Sequence, residues 1–141
     1  MARKKILLVD DSSTVLLLHR MMLAHCGYEL LTARDGQEAL DKASTERPDL
    51  IFLDVLMPRM DGFQTCRALR SRSETRDVPI LLVTTRGEPR CVRQGFESGC
   101  TDYITKPFDG EQLLAKVRGH LEEARRAWAG RRAPVPAEGE R

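Results

Sequence analysis

Short, continuous apolar runs that alternate with longer segments of helical period are the feature that most constrains how this chain can fold. Five runs are short enough for strands, namely residues 6–9, 30–33, 50–53, 80–83 and 103–105. The first, third and fourth contain no alternating polar residues, which is typical of parallel strands covered on both faces. Strict alternation of strand and helix predicts one doubly wound α/β domain with a five-stranded parallel sheet and right-handed crossovers.

Residues that favour helix ends mark the segments between these runs. The predicted helices begin at or next to Ser12, Asp35, Asp61, Glu88 and Asp109. The first is expected to run to Cys26, before Gly27. Asp35 and Glu38 have the spacing of a capping box, in which each side chain accepts from the backbone N–H at the other position.

The composition predicts one compact domain, residues 1–122, followed by a helix extension and a disordered tail or linker, residues 123–141. The 141 residues are 41% hydrophobic and 31% charged, which is ordinary for a globular domain. The 19 residues after Glu122 are too few for an effector domain, and Gly, Pro, Arg and Glu dominate beyond about residue 129. An apolar stripe on the fifth helix comprises Leu114, Val117, Leu121, Ala124 and Trp128. Its last two members indicate either a partner or dimer surface or a frayed helix end.

The sequence gives no support for nucleic-acid binding, membrane insertion or a metal site built from cysteine and histidine. A net charge of +2 gives no electrostatic case for direct contact with nucleic acid. No apolar run approaches the length that spans a membrane, so a cytoplasmic protein is expected. The four cysteines are scattered singly, and the three histidines form no metal-ligand pattern. We interpret the histidines as structural or solvent-facing.

Polar residues follow the predicted strands at the points where the chemistry of an α/β sheet gathers. Asp10 and Asp11 end the first strand, Asp54 the third and Thr84 the fourth, while Lys106 follows the fifth. The carboxyl ends of parallel strands meet at one edge of the sheet, so these side chains should converge. Three clustered carboxylates repel one another unless a cation lies among them. Mg²⁺ fits, because it binds through carboxylates and phosphate oxygens.

This grouping predicts phosphoryl transfer to an aspartate. Asp54 would attack an incoming phosphorus in line, while Mg²⁺, Lys106 and Thr84 share the equatorial oxygens. The product would be an aspartyl phosphate, which is an acyl phosphate and therefore reactive. Both switching and resetting follow from that reactivity.

The motifs at residues 6–12, 54–62, 79–84 and 102–108 resemble those of bacterial response-regulator receiver domains, and the resemblance covers residues 4–122. It implies a flavodoxin-like (βα)5 fold with strand order 2-1-3-4-5. It also implies a phosphoacceptor signalling domain rather than an enzyme, although such a domain assists its own phosphorylation and dephosphorylation. The upstream partner would be a histidine kinase or a phosphotransfer protein.

The resemblance also implies roles for single residues. Asp54 is similar to the phosphoacceptor, Asp11 to a direct Mg²⁺ ligand and Asp10 to a ligand acting through water. The backbone carbonyl of Leu56 would be the third protein ligand. Lys106 resembles the lysine that pairs with the phosphoryl group, and its peptide bond to the following proline is commonly cis in the family.

Thr84 and Tyr103 resemble the family's switch pair, in which the hydroxyl moves toward the phosphoryl group and the aromatic ring turns inward. This change would reshape the surface of the fourth helix, fifth strand and fifth helix, where a downstream protein target binds. A homodimer would use that face or the extended fifth helix. The alternative for Tyr103 is a plain core aromatic residue.

Two other functions stay open beside the phosphoacceptor switch. One is a receiver-like scaffold that acts without phosphorylation, although every expected polar residue is present. The other is a phosphatase with an aspartate nucleophile, which needs a general acid where this chain has Leu56. Thr85 is bulkier than the family's usual residue, and Leu56 and Arg86 occupy variable positions, so we predict slow self-dephosphorylation.

Overall fold

The computed structural model describes residues 3–84 and 89–132, with side chains described for residues 3–84 and 91–122. Strands and helices alternate throughout, as the sequence predicts. The elements are β1 (Lys5–Val9), α1 (Ser13–Leu23), β2 (Glu29–Ala33), α2 (Gly36–Glu46), β3 (Leu50–Asp54), α3 (Gly62–Arg70), β4 (Ile80–Thr84), α4 (Pro89–Glu97), β5 (Asp102–Thr105) and α5 (Gly110–Arg132).

The five strands form one sheet in the order β2-β1-β3-β4-β5, and every neighbouring pair is parallel. This order confirms the doubly wound α/β fold and the strand order implied by the resemblance. Each predicted strand lies within one residue of an observed one. Among the described residues, no helix is both long and apolar enough to cross a membrane.

Each face of the sheet carries its own apolar core. Alternate residues of a strand point to opposite faces, so Leu7 and Ile51 pack on one side while Leu8 and Phe52 pack on the other. Residues of α2 and α3 cover the first face, and residues of α1 and α5 cover the second. β3 and β4 are buried along their full lengths, which explains their uninterrupted apolar sequences.

The helix ends depart from the predictions in two places. α1 ends at Leu23 rather than Cys26, and Gly27 has a φ of 82°. The chain needs this left-handed turn to enter β2, so the helix stops one turn early. The Asp35 side chain accepts from the Glu38 N–H, but the Glu38 carboxylate accepts from the backbone N–H of Arg34, one residue before the expected partner. The predicted capping box is therefore only half formed.

The buried face of α5 matches the predicted stripe at Val117 and Leu121 and differs at its start. Leu113 and Val117 are fully buried and Leu121 is buried, whereas Leu114 is only partly buried and packs against the same core. These three residues recur at intervals of four, as on one face of a helix. The backbone of α5 continues to Arg132, while the side chains of Ala124 and Trp128 lie outside the described residues.

Gly62 allows α3 to start directly against the end of β3. A Cβ atom at this position would lie 2.5 Å from the carbonyl oxygen of Asp54 and 2.7 Å from the Cα of Val55. Both neighbours are backbone atoms, at the last residue of β3 and the residue after it, so they cannot move aside as a flexible side chain would. The Gly62 N–H donates to the Val55 carbonyl at 2.8 Å, which fixes the approach.

We expect Gly62→Ala to lower the free energy of unfolding by about 1–3 kcal/mol, because the added methyl group overpacks a rigid contact. Urea denaturation of the two proteins measures this difference. Gly119→Ala is the matched control, since nothing lies within 4 Å of a Cβ atom at that exposed position of α5. It should leave stability unchanged or raise it by up to about 1 kcal/mol. Equal effects of the two substitutions would contradict the packing explanation.

His19 is a core residue that stays uncharged. Its ring centroid lies 5.1 Å from that of Phe52 and 5.5 Å from that of Phe108. Burial lowers the pKa of His19 to about 4, and the charge on Lys106 adds to the shift. The structural interpretation of this histidine is therefore confirmed.

Acid should destabilise the fold through His19. Since its pKa is about 4 in the folded chain and about 6.5 in an unfolded one, the unfolded state binds more protons between these values. Stability is therefore lost as pH falls from about 6.5 to 4, by roughly 3 kcal/mol in total. His19→Leu should flatten this part of the stability profile.

The measurement compares each variant with wild type, because Asp54, whose pKa is raised to about 6, titrates in the same pH range. Chemical denaturation at a series of pH values should show that His19→Leu gains stability relative to wild type as the solution is acidified. His25→Leu, at an exposed position after α1, should follow the wild-type profile. Parallel profiles for wild type and His19→Leu would disprove the role of His19.

Candidate functional site

The polar residues that the sequence singles out converge at the carboxyl edge of the sheet. Asp54 and Thr84 are the last residues of their strands, and Asp10 follows β1 directly. The backbone N–H of Asp10 donates to the Ala33 carbonyl at 3.1 Å, and the N–H of Lys106 donates to the Thr84 carbonyl at 2.8 Å. Main-chain bonds thus hold the residues after β1 and β5 against neighbouring strands.

Three carboxylates form a compact acidic cluster. Asp10, Asp11 and Asp54 each offer an oxygen, and these oxygens all lie within 4.8 Å of one another. Asp10 and Asp54 are buried, whereas Asp11 is exposed at the mouth of the cluster. Burial and mutual repulsion both disfavour the charged forms, so the cluster needs positive charge nearby.

Lys106 supplies part of that charge. Its Nζ lies 3.5 Å from Oδ1 of Asp54 and 4.0 Å from Oδ2 of Asp10. The peptide bond between Lys106 and Pro107 is cis, as the resemblance implies. One lysine therefore faces both buried carboxylates from the β5 side of the site.

The charge on Lys106 does not balance the cluster. Burial raises the pKa of Asp54 to about 6, and the Asp10 carboxylate adds to the shift against the opposing effect of Lys106. Burial also raises the pKa of Asp10, although the backbone N–H of Ser12 donates to its Oδ1 at 2.9 Å. Both carboxyl groups would become more acidic if a further cation were present.

A divalent cation fits the atoms that the cluster leaves unsatisfied. Oδ2 of Asp10 is buried and, within the described part of the chain, has no hydrogen-bond partner. A buried carboxylate oxygen without a donor is costly, and a hydrated cation beside it would supply both positive charge and a water O–H as donor. The donor set consists of oxygen atoms alone, which matches the preference of Mg²⁺.

The predicted switch residues lie on the β4–β5 side of the site. Thr84 is buried at the end of β4. Tyr103 is half-buried, with its ring edge-to-face against Phe96 at 6.2 Å and the Lys116 Nζ 5.6 Å from its centroid. The ring also packs against the core, so it is neither fully buried nor free in solvent.

A charged network beside Tyr103 went unpredicted. Oδ2 of Asp102 accepts from Lys116 Nζ at 2.9 Å and lies 2.8 Å from Nε2 of His120. These contacts tie the start of β5 to the middle of α5. The spacing of Lys116 and His120 by one helical turn was the available signal, but their shared partner becomes apparent only in the folded chain.

Other predicted residues have mixed outcomes. The side chain of Leu56 is 67% exposed, so it borders the site without filling it. Its carbonyl as a metal ligand stays a prediction. Thr85 and Arg86 lie outside the described residues, as does any structural basis for slow dephosphorylation that depends on them.

Two arginines at the rim were not singled out from the sequence. Nη2 of Arg34 donates to the backbone carbonyl of Asp11 at 3.2 Å. Arg59 lies 3.5 Å from a carboxylate oxygen of Asp35. Arg34 directly follows β2, which neighbours β1, and this position at a strand end was the signal that could have found it.

The sequence matches the family profile of the response regulator receiver domain over residues 6–118. It is 43% identical over 121 residues to the alkaline phosphatase synthesis transcriptional regulatory protein PhoP of Bacillus subtilis (strain 168). The aligned region covers 86% of this chain and 50% of PhoP. The chain thus spans about half the length of the curated relatives it matches.

Solved structures agree with the profile. The chemotaxis protein CheY4 of Vibrio cholerae is 41% identical with a TM-score of 0.80, covering 83% of this chain and 98% of that one. The receiver domain of the sensor histidine kinase PA1611 of Pseudomonas aeruginosa PAO1, with magnesium in its active-site cleft, is 29% identical with a TM-score of 0.80, covering 86% of this chain and 99% of that one. Sequence, fold and acidic edge therefore lead to one conclusion: this chain belongs to the response regulator receiver domain family.

Proposed function

We propose that this chain is a phosphoacceptor switch in which Asp54 takes a phosphoryl group from a histidine kinase or a phosphotransfer protein. The arrangement around Asp54 carries the proposal. Its carboxylate has potential metal-ligand oxygens within 4.8 Å on one side and the Lys106 ammonium at 3.5 Å on the other. A buried carboxylate flanked by cations is suited to attack a phosphorus that bears anionic oxygens.

Mg²⁺ is the proposed cofactor. Asp11 would bind it directly and Asp10 through water, with Asp54 and the carbonyl of Leu56 completing the protein ligands. When bound, the ion neutralises the carboxylates and the phosphoryl oxygens. The unsatisfied buried oxygen of Asp10 supports this assignment, as does the magnesium in the related PA1611 domain.

The protein's own residues account for the remainder of the step. A carboxylate oxygen of Asp54 forms a bond to phosphorus while the bond from phosphorus to the leaving group breaks. Lys106 holds positive charge beside the transferred group, and the Thr84 hydroxyl donates to one of its oxygens. Burial of the site strengthens each of these interactions because little water competes there.

The switch would pass from Thr84 to Tyr103 and then to the surface of α4, β5 and α5. Movement of the Thr84 hydroxyl toward the phosphoryl group vacates space, and the half-buried Tyr103 ring turns into it. This movement takes the ring away from Phe96 and Lys116, which lie on the output surface. We infer that a downstream protein target recognises the difference.

The domain boundary and assembly are part of the proposal. Residues 1–122 would form the receiver, and residues 123–141 a helix extension followed by a tail or linker. A homodimer would use the surface of α4, β5 and α5 or the extended α5. The net charge of +2 supports partners that are proteins rather than nucleic acids.

Incubation with acetyl phosphate and Mg²⁺ should add one phosphoryl group to the wild-type chain, and intact-mass measurement detects it. Asp54→Asn should show no adduct, because the amide is not a nucleophile toward phosphorus. Asp35→Asn is the matched control, with the same charge change at a helix cap near the rim. It should label like wild type. Chelation of Mg²⁺ should abolish labelling of wild type and of Asp35→Asn. An adduct on Asp54→Asn would refute Asp54 as the phosphoacceptor.

Lys106→Met should slow phosphorylation by about a hundredfold, since it removes a preorganised cation from the developing charge. The rate of adduct formation at saturating Mg²⁺ measures this effect. Lys42→Met, which removes a lysine that pairs with Glu38 on α2, should leave the rate near that of wild type. An unchanged rate in Lys106→Met would show that the lysine does not act on the transferred group.

A further inference from the structure

The Arg34 guanidinium lies at the mouth of the acidic cluster, on the side away from Lys106. Strand order places β2 at one edge of the sheet and β5 at the other. Arg34 follows β2 and Lys106 follows β5. The carboxylates at the ends of β1 and β3 therefore lie between two cations that are 72 residues apart in the sequence.

Local contacts hold Arg34 in this position. Its backbone N–H donates to the Glu38 carboxylate at 2.8 Å, and its Nη2 donates to the Asp11 carbonyl at 3.2 Å. Asp11 is the exposed member of the acidic cluster. The guanidinium is thus held beside Asp11, at the solvent-exposed side of the acidic cluster.

The hydrogen bond to the Asp11 carbonyl does not neutralise the charge of Arg34. A guanidinium has five N–H donors, and the anchoring bond uses one of them on a neutral carbonyl. Within the part of the chain that is described, no carboxylate lies within ion-pair distance of Arg34. Arg59, the other arginine at the rim, is paired with Asp35.

We propose that Arg34 binds the leaving group of small phosphodonors and favours those whose leaving group is an anion, above all carboxylic–phosphoric anhydrides. This inference rests on the proposed phosphoacceptor function of Asp54. In-line attack from the buried Asp54 directs the leaving group outward, toward the rim. Lys106 lies against Asp54 and would face the phosphoryl oxygens. Among the described residues, Arg34 is the cation at the rim whose charge has no ion-pair partner, so we assign it to the departing atoms.

The chemistry differs between donor classes. With an acyl phosphate, the Asp54 oxygen bonds to phosphorus, the bond from phosphorus to the acyl oxygen breaks, and the carboxylate leaves with that electron pair. Negative charge therefore grows on the leaving group beside Arg34. With phosphoramidate, the nitrogen is already protonated and leaves as neutral ammonia, so no negative charge develops there. Arg34 stabilises the first transition state and not the second.

The test compares phosphorylation rates with acetyl phosphate and phosphoramidate at saturating Mg²⁺. Arg34→Gln should slow labelling by acetyl phosphate about three- to tenfold, the effect of one charged contact at an exposed site. Labelling by phosphoramidate should be unchanged or faster. Arg34→Lys keeps the charge and should recover part of the loss.

Arg59→Gln is the matched control, because it removes a rim arginine whose charge is already paired. It should leave the ratio of the two rates at the wild-type value. An equal loss with both donors in Arg34→Gln, no loss with either, or the same selective loss in Arg59→Gln would each overturn the role of Arg34 alone. A wild-type chain labelled by neither donor would overturn the phosphoacceptor function itself.

Discussion

Repulsion between the buried carboxylates of Asp10 and Asp54 is the constraint on which this end of the molecule depends. Burial raises the pKa of both carboxyl groups, the Asp10 carboxylate adds to the shift of Asp54, and one lysine only partly offsets the cost. The acidic groups stay together because the sheet holds them there. Asp54 belongs to a fully buried strand, and Asp10 is tied by its N–H to the end of β2. The fold thus supplies the free energy that keeps a high-energy charge arrangement ready for a cation and a phosphoryl group.

The scaffold shows why such an arrangement survives. Two apolar cores, one on each face, fix the strands from both sides, so the strand ends have little freedom to separate. The contact of Gly62 with the end of β3 adds a third restraint next to Asp54. Binding residues carried on rigid strands are positioned more accurately than residues on loops. The packing that stabilises the fold therefore also positions the residues of the site.

Most of the fold and the main polar residues of the site could be predicted, because both depend on local patterns. Continuous apolar runs locate strands of a covered parallel sheet, and their last residues locate the site. The errors have local physical causes. α1 stops early because the chain must turn at Gly27, and Leu113 rather than Leu114 is buried because packing selects the face of α5. Two features could not be predicted, because residues remote in sequence meet only after folding. They are the contact of Arg34 with Asp11 and the contacts of Asp102 with Lys116 and His120.

The contacts of Tyr103 have a consequence for how the molecule samples its states. A ring held by one edge-to-face partner and one overlying ammonium loses only about 1–2 kcal/mol when it leaves them. Lys116 also donates to Asp102, and this contact does not involve the ring. Packing against the core is therefore the main restraint on the ring, and the contacts on the output surface hold it only weakly. If Asp54 is phosphorylated as proposed, the event would have to act chiefly on the core side of the ring, where Thr84 ends the neighbouring strand.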